Sequence, residues 1–363
     1  MTARKLAATA PLIVAASLRA AAQTPPMPRT LIVTDAWHPL VNGVVRTLDT
    51  TTRTLRELGH AVEVLEPSGF SQIGVPFYPE IRVCIPWPHR VFDCIRTFNP
   101  DHVHISTEGP LGLIARRFCV SHGWRFSTSY HTKFPEYLKT LARVPTGWTY
   151  RFLRWFHNGG SSLMVATPSL EAELKARGFT APIRRWSRGV DLGTFRPRPR
   201  ADLGFPRPVL LYVGRVSAEK GIEEFLKLDT SGTKVVVGDG PARADLERRY
   251  PAVKFLGYRT GEALGECYAA ADLFVFPSRT DTFGLVVIEA LASGLPVAAF
   301  PATGPIDILT RPELGCTDDD LGAAIRQALR HGDRAACAAD GASYTWAHST
   351  GQFAGNLVAA RNV

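Results

Sequence analysis

A chain of 363 residues with 45% hydrophobic and 21% charged side chains is long enough for two domains with full cores, and its composition is that of a globular chain rather than a disordered one. Its net charge of +9 is uneven: residues 28–200 carry 23 Lys and Arg against 13 Asp and Glu, whereas residues 201–363 carry 16 against 20. The basic half calls for an anionic partner such as a membrane surface or an acidic substrate, and the absence of any zinc-finger or RNA-recognition signature argues against nucleic acid.

In chain order, residues 1–27 read as an extension that imitates a secretory signal, with basic residues, an apolar run and then small residues. The run is too short to span a bilayer, and a start at Met27 opens directly on the first strand, which is the preferred reading. From Arg29 the chain alternates short apolar runs ("TLIV", "AVEVL", "HVHI", "FSTSY", "LMVAT") with amphipathic segments. Such alternation predicts βα units and a parallel sheet over residues 28–196. In "NGVVRTL", Gly43 stands between the first strand and a helix, where backbone can approach a phosphate or a sugar. His131, in "SYHTKFPEY", ends an apolar strand and so falls at the functional edge of the sheet, although a histidine there is often purely structural. "VPTGWTYRFLRWFHNG" sets Trp148, Phe152, Trp155 and Phe156 at helical spacing with Arg151 and Arg154 at the border. That composition suits an interfacial helix on an anionic membrane, the alternative being a helix packed by its aromatic stripe on the sheet.

Pro- and Arg-rich residues 197–207 read as a linker, and βα alternation restarts in a second unit, 208–340, followed by a helical tail, 341–363. "LYVGRVSAEKG" places Arg215 just past a strand and Lys220 five residues on, where both can reach one diphosphate. A structural ion pair is the alternative. "VVVGDGPARADLERR" is a strand and glycine turn into a helix, with Pro241 expected at the first helical position. "PSRTDTFGLVVIEALASG" reads as a loop carrying Asp281 and then a helix over Gly284–Ser293. The amides of Gly284, Leu285 and Val286 offer an anion site, with Asp281 and Glu289 free to accept from ligand hydroxyls on either side. The blander reading makes Asp281 a helix-start residue and Glu289 a solvated side chain. Asp318, Asp319 and Asp320 read as a helix cap rather than a metal cluster. Six cysteines (Cys84, Cys94, Cys119, Cys267, Cys316, Cys337) show neither metal-ligand nor secreted-framework spacing and read as reduced, mostly buried and cytosolic. Two doubly wound α/β halves would then face each other across a ligand cleft.

These motifs in order, "NGVVRTL", "YHTKFPEY", "SRGVDLGTFRP", "GRVSAEKG", "VVVGDGP", "FLGYRTGEAL" and "YAAADLFVFPSRTDTFGLVVIEALASGLPV", resemble the family 4 retaining glycosyltransferases of GT-B fold from about residue 29 to the C-terminus. The resemblance implies that Arg215 and Lys220 hold the donor diphosphate and that Glu289 takes the nucleotide ribose. It implies that Asp281 takes the hydroxyls of the transferred sugar, with Gly43 in the first-half glycine loop and His131 beside the sugar. The first acid of the family motif is more often Glu, so Asp281 is one methylene short. The donor would be GDP-mannose or UDP-glucose or UDP-glucuronate, and the acceptor a lipid or glycan hydroxyl. Neither metal nor cofactor is implied, and the place of action would be the inner face of the membrane. A nucleotide-sugar epimerase of the same fold and a two-lobed sugar-binding protein are the competing classes.

Overall fold

The computed structural model describes residues 27–363 except 41, 76–77, 137–138, 140–143, 201–203 and 362–363. The extension expected over 1–27 lies outside them apart from Met27, as does part of the linker expected over 197–207.

The chain builds two six-stranded sheets in which every pairing is parallel. The first has the order Ala61–Leu65, Arg29–Val33, His102–Ile105, Ser127–Ser129, Ser162–Val165, Ile183–Arg185, and the second Lys254–Gly257, Thr233–Val237, Val209–Val213, Leu273–Phe276, Val297–Ala299, Gly315–Thr317. Both orders start inside the sheet and wind outward in both directions, which puts the switch point of each lobe beside its first strand. Strands such as Val209–Val213 and Leu273–Phe276 are buried throughout, as continuous apolar runs covered on both faces require. An antiparallel pair, Ser71–Val75 with Tyr78–Ile85, is the one departure among the described strands.

Helix Gly43–Glu57 shows how sequence fixes an element here. Asn42 caps it by accepting from the amides of Val44 and Val45, and Val45, Leu48, Thr52 and Leu55 recur on the buried face. In the second lobe, helix Leu285–Ala292 is apolar on nearly every side and buries Val287, Ile288 and Leu291, each contributing roughly 1.5–3 kcal/mol.

The chain crosses between lobes twice, and the crossings touch. The amide of Val190 donates to the carbonyl of Tyr344 at 2.9 Å. A Cβ on Gly189 would stand 2.5 Å from the amide nitrogen of Trp346, so only glycine permits this approach. Past it, helix Trp346–Asn356 returns to the first lobe, where Phe353 is buried against His104 and Trp186, and Ala360 exchanges backbone hydrogen bonds with Asp101 and Arg125. The C-terminal tail is thus a structural part of the first lobe.

Candidate active site

The facing ends of the two lobes meet along a line of inter-lobe contacts. Thr282 Oγ1 donates to the carbonyl of His131 at 2.6 Å. Ser169 donates from its amide and its hydroxyl to the Asp307 carboxylate at 2.8 and 2.9 Å. A Cβ added at Gly43 would lie 3.5 Å from Leu285 Cδ1, so the first-lobe glycine faces the start of helix Leu285–Ala292.

That helix begins one residue later than expected. Gly284 is its N-cap, left-handed at φ 86°, and the helix ends at Ala292. A side chain at this position would be strained, and its Cβ would stand 3.1 Å from both Phe276 Cζ and Val287 Cγ2. Gly284, Leu285 and Val286 are each partly exposed, and among the described residues no group accepts from their amides. Gly284→Ala is expected to lower unfolding free energy by about 1–2 kcal/mol, read from chemical denaturation, because an L side chain is disfavoured in this conformation.

Asp281 does not start the helix. Both of its oxygens receive Lys220 Nζ, at 2.8 and 3.0 Å, and the pair is 23% and 31% exposed. Burial pushes the Asp281 carboxyl up, but the Lys220 charge and its hydrogen bonds hold it below the ordinary value. Lys220 closes the short 3₁₀ turn Ala218–Lys220, and Arg215 lies exposed just beyond strand Val209–Val213, with Tyr212 Oη donating to its carbonyl. A lysine, a carboxylate and free helix amides therefore converge at the C-terminal ends of the second-lobe strands.

Glu289 corrects the solvated reading. It is 2% exposed and accepts from Arg46 of the first lobe and, at 3.1 Å, from Tyr268 Oη. Arg46 also lies over the Phe195 ring and walls a cavity of about 550 Å³ at the lobe junction, together with Arg53, Asp191 and Trp346. The motif "NGVVRTL" contains Arg46, but its partner is 243 residues away and no spacing reveals it. Arg46→Met leaves a buried carboxylate with only Tyr268, and is expected to cost about 1–3 kcal/mol of unfolding free energy in a denaturant titration.

His131 sits two residues past strand Ser127–Ser129 with both ring nitrogens engaged, Nε2 with Ser129 Oγ at 2.8 Å and Nδ1 with Arg188 at 3.3 Å. Its carbonyl, rather than its ring, reaches the second lobe.

Helix Thr146–Asn158 divides its aromatics. Phe156 turns inward with Tyr150 and Leu153, whereas Trp148, Phe152 and Trp155 are 78%, 38% and 53% exposed. The stripe therefore does not pack the helix on the sheet, and Phe156 is not part of the outer face. Arg151 is exposed, but Arg154 folds back to donate to the carbonyl of Arg177, and Arg116 lies over the Trp155 ring.

Asp320 accepts from the amide of Gly322 and caps helix Leu321–His331, as expected. Pro241 precedes helix Arg243–Arg249 by two positions instead of opening it. The cysteines are all free, with Cys94 exposed and Cys316 half-buried. Among the described residues, no helix is long and apolar enough to cross a membrane, and no group of three or more His, Cys, Asp or Glu side chains could hold a metal ion.

Two parallel α/β lobes joined by a double crossover, with the candidate groups at the facing strand ends, define the GT-B class of glycosyltransferases. The solved structure of sucrose-phosphate synthase from Thermosynechococcus elongatus shares this fold at a TM-score of 0.71 and 21% identity, over 90% of this chain and 98% of that one. Residues 41–194 match Glycosyltransferase Family 4 and residues 207–331 match Glycosyl transferases group 1. The GDP-mannose-dependent alpha-mannosyltransferase of Mycobacterium tuberculosis is 31% identical over 318 residues, 79% of this chain and 82% of that protein. The sulfoquinovosyl transferase of Arabidopsis thaliana is 32% identical over 310 residues, 76% of this chain but only 60% of that protein. The chain belongs to glycosyltransferase family 4.

Proposed function

We propose that the protein is a retaining hexosyltransferase that moves a hexose from a nucleoside diphosphate sugar to a hydroxyl of a membrane lipid or glycan. The observation that carries this reading is the Lys220–Asp281 pair at the open N-terminus of helix Leu285–Ala292. A cation and free amides suit a diphosphate, and a carboxylate held ionised beside them suits sugar hydroxyls. Arg215 supplies a second cation, and Glu289 takes the ribose by exchanging contacts with Arg46 and Tyr268. A GDP-mannose donor fits the bacterial relative's name; UDP-glucose and UDP-glucuronate share the same diphosphate chemistry.

In the reaction, the bond between the anomeric carbon and the leaving phosphate oxygen breaks as the acceptor oxygen bonds to that carbon on the same face. The acceptor proton passes to the leaving phosphate, and nucleoside diphosphate departs. Lys220, Arg215 and the helix amides stabilise the charge that develops on the leaving group. Both nitrogens of His131 are already bonded inside the first lobe, so His131 shapes the sugar pocket and takes no proton. Proton NMR of the product tests the stereochemistry: an α-linked donor is expected to give an α-linked product, and a β product overturns retention.

The outward Trp148, Phe152 and Trp155 with Arg151 support a lipid acceptor, since aromatic rings bordered by a cation suit the bilayer interface. The basic surplus of residues 28–200 would draw this lobe to anionic lipid at about 1 kcal/mol per basic residue near the surface. In sedimentation with anionic vesicles the protein is expected to bind, to release on added salt, and to bind less as a Trp148→Ser, Trp155→Ser, Arg151→Glu variant. Equal partition to neutral and anionic vesicles, or to neither, favours a soluble acceptor. Arg154, bonded to the Arg177 carbonyl, is expected to matter less than Arg151.

A further inference from the structure

Arg188 is 4% exposed, yet no carboxylate among the described residues pairs with it. Its guanidinium donates to the carbonyls of Trp186 and Ser187 at 2.5 and 3.0 Å, and lies 4.4 Å from the centroid of the Trp186 ring. The remaining arm meets Nδ1 of His131 at 3.3 Å. From there a chain continues through His131 Nε2 to Ser129 Oγ (2.8 Å), Ser129 Oγ to His104 Nε2 (3.1 Å), His104 Nδ1 to Ser127 Oγ (2.9 Å), and Ser127 Oγ to the Val103 carbonyl (3.4 Å).

The Arg188 end sets the tautomer of His131. A guanidinium can only donate and a carbonyl can only accept. Nδ1 of His131 therefore accepts from Arg188, and the ring proton sits on Nε2, donated to Ser129. The Ser129 hydroxyl accepts that proton and has two acceptors of its own, His104 Nε2 at 3.1 Å and the Ser106 carbonyl at 3.5 Å. Ser127 likewise has both His104 Nδ1 at 2.9 Å and the Val103 carbonyl at 3.4 Å within reach. A second proton on His131 would set its Nδ1–H against the Arg188 N–H.

We infer that Arg188 is a positioning residue of the site: it fixes His131 as the neutral Nε2–H tautomer. The strand end that meets Thr282 and the helix N-terminus then stays uncharged while the anionic donor enters and leaves. Burial first, and then the Arg188 charge, disfavour an imidazolium at His131; His104 from its strand and His157 from helix Thr146–Asn158 also face it, and the Trp186 ring lies 5.5 Å away. His157 in turn is engaged by Thr128 and Glu108, so the nearby carboxylate is directed at His157. Burial and the Arg188 charge hold His104 down to about 3.

Nitrogen-15 NMR of the histidine rings in the full, ligand-free protein tests this, with His131 assigned from a His131→Gln variant. This test needs no substrate, so its outcome is separate from that of the donor assignment. A protonated Nε2 and a bare Nδ1 are expected, unchanged between about pH 5 and 8, where an unperturbed histidine titrates. In Arg188→Met the His131 midpoint should rise by at least about one pH unit, and Arg188→Lys, which keeps a cationic donor, should restore the neutral ring. The donor KM of Arg188→Met should acquire a matching pH dependence absent from the parent. A wild-type His131 that carries its proton on Nδ1, or that titrates in this window, overturns the inference whether or not the variants fold. So does a folded Arg188→Met protein with unaltered His131 titration.

Discussion

Lys220→Ala is expected to weaken nucleoside diphosphate binding roughly tenfold to hundredfold, the loss of one charge-assisted contact of about 1.5–3 kcal/mol. The effect should exceed that of Arg215→Ala for a reason internal to the site. Lys220 neutralises Asp281 through both carboxylate oxygens. Removing it subtracts a cation from the diphosphate and leaves a half-buried anion beside it. Lys220→Ala with Asp281→Asn should therefore bind nucleotide better than Lys220→Ala alone, a coupling that a double-mutant cycle measures. Calorimetric titration with GDP and UDP decides it, and unchanged affinity in Lys220→Ala removes the lysine from the donor site. The same pair has a pH signature. The Asp281 carboxyl is lowered in the folded protein from its ordinary value of 3.8, so its contribution to stability is fully present above that value. It is lost as pH falls through the lower folded value. The stability deficit of Lys220→Ala against the parent should accordingly be full above about 3.8 and shrink as pH falls below it, read from denaturant titrations across that range.

Glu289→Gln is expected to lower nucleoside diphosphate affinity about tenfold or more, while Asp281→Asn should lower turnover more than nucleotide affinity. The division follows from position. Glu289 lies within helix Leu285–Ala292 at 2% exposure, held by Arg46 and Tyr268, whereas Asp281 stands in the loop before it. An amide at residue 289 keeps one acceptor for Arg46 but gives up the charge-assisted bond to a ribose hydroxyl. Equal loss of nucleotide affinity in both variants would show that the two acids do not divide sugar from ribose.

Periodicity made the architecture readable, because strands buried on both faces must be written as short apolar runs and helices as amphipathic ones. The Asp320 cap was readable for the same local reason. What escaped was set by tertiary contact. Arg46 stands inside a quoted motif, yet only folding brings it to Glu289, and Arg188 acquires meaning only when the sheet sets His131 beside it. Periodicity in helix Thr146–Asn158 grouped Phe156 with Trp148, Phe152 and Trp155, but depth decided otherwise, since the first lobe closes over Phe156 and leaves the other three outside. The start of helix Leu285–Ala292 was misplaced by one residue because a left-handed glycine can cap a helix as readily as begin it.

Transfer of a sugar from nucleotide to acceptor is read out in a single incubation by mass spectrometry. The full chain is mixed with GDP-mannose, UDP-glucose or UDP-glucuronate, with and without vesicles of bacterial lipid extract. One donor is expected to release nucleoside diphosphate in step with a lipid or glycan product heavier by one hexosyl or hexuronosyl unit, and this product requires the acceptor. A donor whose sugar is converted to its epimer while still attached to the nucleotide, or binding of all three without turnover under any acceptor, would contradict transfer.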